Sequence, residues 1–113
     1  MKVGIVGSRR FREADRVADY VRSLPMNASI ITGSASGVDA AATKAARERG
    51  IAVQVMAASF DELADASLAA ARNQRLVNAC DVVVAFWDGS SEGTRATVER
   101  ALDTGKEVHV FVA

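Results

Sequence analysis

The chain has 113 residues, half of them hydrophobic and a quarter charged, with 14 Lys and Arg against 14 Asp and Glu. That length predicts one domain over residues 1–113. The balanced charge disfavours a dedicated nucleic-acid binder, which normally carries a basic excess to neutralise phosphate. A lone cysteine, Cys80, and a lone histidine, His109, exclude an intramolecular disulfide and leave no zinc-ligand pattern, so no metal is expected.

Read in chain order, apolar runs and amphipathic stretches alternate. Residues 2–6 (KVGIV) are a short apolar run ending at Gly7, as parallel strands buried on both faces read. Residues 12–24 have helical spacing, with Ala14, Val17, Ala18, Val21 and Leu24 on one face, stopped by Pro25 and Asn27. Residues 29–32 (SIIT) predict a second strand. Residues 38–49 predict a helix whose inner face is alanine (Ala41, Ala42, Ala45, Ala46) and whose end is Gly50. A third strand is expected over 51–56.

Ser59 with Glu62 has the form of a capping box, opening a helical stretch to about Ala79 that reads as one helix or two, with residues 71–73 the place for a break. A fourth strand over 81–86, a helix over 92–104 ended by Gly105, and a fifth strand over 107–112 complete the pattern. Strands separated by helical crossovers predict an α/β fold, a three-layer Rossmann-like domain with a five-stranded parallel sheet in the order 3-2-1-4-5. No segment has a signal-peptide core or membrane-spanning length, so the expected compartment is the cytoplasm.

Three strand-to-helix loops are rich in glycine and serine: Gly7-Ser8-Arg9-Arg10, Gly33-Ser34-Ala35-Ser36-Gly37, and Asp88-Gly89-Ser90-Ser91-Glu92-Gly93-Thr94. In the expected order they follow neighbouring strands and lie side by side at the carboxyl edge, around the switch point where such folds bind ligands. Each feeds a helix N-terminus, whose free N–H groups favour an anion, and glycine lets a phosphate approach the backbone. The predicted tenant is a phosphate-bearing small molecule, most simply a nucleotide. The plainer alternative is that glycines and caps only shape the turns: Ser36 with Asp39 resembles a capping box, and Ser91 and Thr94 read as caps. None of the loops is a dinucleotide fingerprint or a Walker A loop.

Gly7-Ser8-Arg9 with Phe11, TGSASGVDAAA over 32–42, Arg72-Asn73, and AFWDGSSEGTR over 85–95 resemble the SLOG superfamily of Rossmann-like proteins. This superfamily takes in the DNA-processing protein DprA (Smf), the LOG phosphoribohydrolases and small stand-alone YspA-like domains, the last being the nearest in pattern. The resemblance implies a nucleotide or nucleotide-derived ligand and no required cofactor. It implies binding residues Gly7, Ser8 and Arg9 in the first loop and Gly33, Ser34, Gly37 and Asp39 in the second. Asp88, Gly89, Ser90, Gly93 and Thr94 would form a phosphate cradle in the third, with Arg72 and Asn73 reaching in from the helix before it.

No catalytic residue is assigned. The LOG enzymes carry PGGxGTxxE, with the final glutamate acting on the N-glycosidic bond. Here that position is Thr97, and Glu99 lies about 200° further round the helix. The readings that follow are a small-molecule binding module, a LOG-like hydrolase of nucleoside monophosphates, and a DprA-like binder of single-stranded DNA. Alanine-rich helices with a spare apolar face would also suit a homodimer. Trp87 is read as a base-stacking or core-edge residue, Phe11 as a pocket cover or helix staple, and Cys80 as a small buried residue.

Overall fold

The computed structural model describes residues 1–8, 11–33, 37–56 and 65–112. Among these, five strands and four helices alternate: β1 (Lys2–Gly7), α1 (Ala14–Ser23), β2 (Ser29–Thr32), α2 (Val38–Arg49), β3 (Ala52–Val55), α3 (Ala66–Ala79), β4 (Val82–Trp87), α4 (Glu92–Asp103) and β5 (Glu107–Val112). The sheet is parallel throughout in the order β3-β2-β1-β4-β5. This is the predicted doubly wound α/β, Rossmann-like arrangement.

Two apolar layers hold the sheet between its helices. On one face, Val3, Ile5, Ile30, Val82, Val84 and Phe86 meet Val17 and Val21 of α1 and Val38, Ala42, Ala45 and Ala46 of α2. On the other, Ile31 and Val83 meet Leu76 and Val77 of α3 and Ala101 of α4. The alanines of α2 let it lie close to the sheet, as their spacing predicted. Gly4 does the same for the opposite layer. A Cβ there would stand 2.5 Å from Cys80 Sγ.

Several boundaries differ from the sequence expectation. α1 starts at Ala14, two residues late, and Glu13 at its N-cap makes no side-chain cap. The capping box at Ser59 and Glu62 lies outside the described residues. α3 begins at Ala66, and there Asp65 is the cap: its Oδ1 accepts from Ser67 N at 2.8 Å and Leu68 N at 3.3 Å. Of the two readings of this stretch, one helix or two, its described part is a single helix over Ala66–Ala79. α3 runs through them unbroken, because Leu76 and Val77 anchor the same helix on the sheet.

Phe11 belongs to the core. Its ring meets Phe86 edge-on at 5.5 Å between centroids, and Phe86 stacks on Phe111 at 5.1 Å. The Arg16 guanidinium lies 5.8 Å from the Phe11 centroid and 5.9 Å from that of Phe111, closing this corner with a cation over two rings. Cys80 is buried, donates from Sγ to Leu76 O at 3.1 Å, and has its thiol pushed up to about 11 by burial. It is the inert packed residue expected. No helix among the described residues is long and apolar enough to cross a membrane.

Candidate functional site

Because all five strands are parallel, the ends of β1, β2 and β4 share one edge, and β1 lies between the other two. The loops that follow them are therefore neighbours, with β1 and β4 flanking the point where strand order reverses. Gly7 sits opposite Phe86 in the β1–β4 ladder, and Ile5 opposite Thr32 in the β1–β2 ladder.

Gly7 is where α2 reaches the sheet. A Cβ at position 7 would lie 2.6 Å from Val38 Cγ2 and 2.7 Å from Phe86 O, so this glycine serves packing. Ser8 follows it and is almost fully buried. Its N–H donates to Phe86 O at 3.0 Å, its Oγ accepts from Asp88 N at 3.1 Å, and the same Oγ lies 3.4 Å from Thr94 Oγ1. One serine thus stitches the first loop to the third. Arg9 and Arg10 lie outside the described residues.

In the second loop, Gly33 is in contact with Arg72: a Cβ at position 33 would meet the Arg72 guanidinium at Nη1. Arg72 thus extends from α3 to Gly33 of this loop. Its Nε is buried without a hydrogen-bond partner among the described residues, and so is the hydroxyl of Thr32 at the end of β2. Asn73 is half-buried on the same helix. Ser34 and Ser36 fall outside the described residues. Gly37 is the N-cap of α2 with no side-chain cap, and Asp39 is buried in the first turn, its carbonyl accepting from Thr43 Oγ1 at 2.8 Å.

The third loop is the most completely defined. Asp88 folds its carboxylate back onto the chain: Oδ1 accepts from Ser90 N at 2.9 Å, Ser91 N at 2.8 Å and Ser90 Oγ at 3.4 Å. The amides of Ser90 and then Ser91 hold this carboxyl below the ordinary carboxylate range, helped by the hydroxyls of Ser8 and Ser90. Ser91 occupies the N-cap of α4 without a side-chain cap. Its hydroxyl lies 3.3 Å from Thr94 Oγ1, and its carbonyl accepts from Trp87 Nε1 at 3.0 Å. Trp87 therefore braces the loop from below.

The two glycines of this loop differ. Gly89 needs its φ of +88° for the turn. Gly93 lacks a positive φ, and a Cβ built on it would meet none of the described residues within 4 Å. Packing makes no demand for glycine at 93, in the first turn of a helix where glycine is a poor former. Beyond it, Thr97 is buried and donates to Gly93 O at 3.0 Å, while Glu99 is exposed and paired with Arg95 at 3.0 Å. Glu99 does not take over the position that Thr97 fills.

Sequence reasoning did not anticipate the hold of the Ser91 N–H on Asp88, the bond from Trp87 to Ser91 O, or the burial of the Thr32 hydroxyl. The Asp88-Gly-Ser-Ser run carried a signal, since aspartate accepting from backbone two residues on is a common turn device. His109, at 2.9 Å from Glu107 on β5, takes no part.

A doubly wound parallel sheet in this order defines a Rossmann-like domain. The profile of the DNA recombination-mediator protein A family matches residues 1–74, and the chain belongs to that family. The matched segment holds the first two loops and Arg72-Asn73, and ends before the third loop. No curated protein matches the chain.

Proposed function

We propose that the protein is a binding module for a nucleotide or nucleotide-derived small molecule, held at the loops after β1, β2 and β4, in the manner of the YspA-like domains. Gly93 carries this reading: a glycine that neither backbone conformation nor packing requires, at a helix N-terminus on the ligand edge of the sheet. The contact of Arg72 with the second loop supports it, as does its buried Nε, which has no partner among the described residues. The residues proposed to line the site are those of the three loops named above, with Arg72 and Asn73. No cofactor is required in this reading. It also includes a cytoplasmic protein that pairs with a second copy, for which Leu102, Val110 and Val112 offer exposed apolar surface.

The test is Gly93→Val. The variant is expected to fold, because the position is open, and to lose affinity for the mononucleotides that bind the wild type, read by calorimetry. Undiminished affinity in a folded variant would sink the shared pocket.

Membership of the DNA recombination-mediator protein A family favours a second reading, binding of single-stranded DNA. The chain carries 14 Lys and Arg against 14 Asp and Glu, with no basic excess. That balance favours the small-molecule reading. Oligonucleotide affinity that falls steeply with salt would reverse the order. The hydrolase reading would need release of free base from a nucleoside monophosphate, and Thr97 in place of a carboxylate weighs against it.

A further inference from the structure

β5 is the longer of the two edge strands, six residues against four in β3. It pairs with β4 without a break from Glu107 to Val112 and carries no proline or lysine. An edge without lysine, proline or bulge is a template for another strand. Its side chains alternate between the faces of the sheet. Val108 packs on the face of α3 and α4, and Val110 and Val112, both exposed, follow it at intervals of two. Leu102, also exposed, stands at the Glu107 end of the strand, because Lys106 N donates to Ala101 O at 3.0 Å and folds the last turn of α4 onto it. Phe111 packs on the α1 face. There a recess of about 310 Å³ is lined by Arg16, Asp19, Tyr20, Phe86 and Phe111. Glu107 and His109 share the face of Phe111.

We propose that β5 pairs antiparallel with β5 of a second copy, about a two-fold axis through Val110, joining the two five-stranded sheets into one. This rests on the pairing of copies in the reading above and gives it a place and a register. An axis normal to the sheet keeps each face with its like, so opposed residues share a face and the axis falls on a residue. With the axis on Val110, the partner's Val112 lies opposite Val108, and Leu102 stands toward the same end. The exposed apolar residues of one copy then cover those of the other. The charges match as well. The partner's Glu107 arrives just past Val112, where Arg16 Nη1 donates to Val112 O at 3.2 Å. The same Nη1 holds Glu13, and the guanidinium fork has further donors. The partner's His109 lands opposite Phe111, at the recess that Asp19 lines. An axis one residue earlier would set Lys106 against Val112, Glu107 against Phe111 and imidazole against imidazole.

Single cysteines test this in the full chain. Directly opposed residues of antiparallel strands have Cα atoms about 4.5–5.5 Å apart, within disulfide reach. Val110→Cys is therefore expected to give a disulfide-linked dimer on mild oxidation, read on a non-reducing gel. Val112→Cys, also exposed, would lie roughly 14 Å from its own mate and is expected to stay unlinked. The native Cys80 is buried and stays silent. Val110→Lys is expected to weaken the dimer about a hundredfold in sedimentation velocity, the order of cost of two opposed like charges. Wild type that sediments as a monomer across a dilution series overturns the proposal and the pairing of copies together. A dimer in which Val110→Cys stays unlinked, or in which Val112→Cys links as readily, overturns the strand pairing and leaves a dimer of another kind. So does a dimer that Val110→Lys leaves intact.

Discussion

Gly7 and Gly33 both sit at strand ends where a methyl group has no room, but what fills the room differs. At Gly7 the obstacles are the packed side chain of Val38 and the backbone carbonyl of Phe86. Gly7→Ala is expected to destabilise the fold by about 1–3 kcal/mol, as overpacking does, visible in urea unfolding. At Gly33 the obstacle is the far end of a flexible arginine. Gly33→Ala should therefore leave stability within about 1 kcal/mol of wild type while displacing Arg72, so any effect on ligand affinity appears without a matching loss of fold. Asp88 behaves in a third way. Its folded pKa lies below the ordinary value, so its contribution to stability is complete above the ordinary carboxylate range and is lost as pH falls through the depressed value. Acid unfolding of Asp88→Asn should accordingly show a flatter limb below pH ~4 than wild type.

Among the elements, the junction of β1 with α4 depends on one hydroxyl. Ser8→Ala removes the acceptor for Asp88 N and should cost about 1–2 kcal/mol, with faster hydrogen exchange at Asp88. Asp65→Ala should cost about 1 kcal/mol, fraying only the start of α3. These elements were differently legible. The strand order followed from alternation of apolar runs with amphipathic stretches, because crossover connections leave few topologies. The alanine face of α2 could be read from spacing alone. The cap at Asp65 could not, because Ser59 and Glu62 offered a stronger local signal. The continuity of α3 through Arg72 and Asn73 was hidden because it rests on Leu76 and Val77 packing on β2 and β4. In the site, the loops and the reach of Arg72 were legible by pattern. The engagement of the Ser90 and Ser91 amides by Asp88 was not, because it depends on which way one short side chain turns.

For the whole molecule, a ligand that binds only the folded state at about a hundred times its dissociation constant adds about 2.7 kcal/mol. In a domain of this size that raises the unfolding midpoint by about ten degrees, and Gly93→Val should erase the rise without lowering the midpoint of the free protein. The bracing of the third loop by Trp87 bears on how such binding can be seen. The chain has one tryptophan, and its indole N–H is held by Ser91 O at the start of α4. Tryptophan emission therefore has a single source, bonded to the third loop. A shift in its emission on titration would report the loop's rearrangement directly, in unlabelled protein and on the stopped-flow timescale.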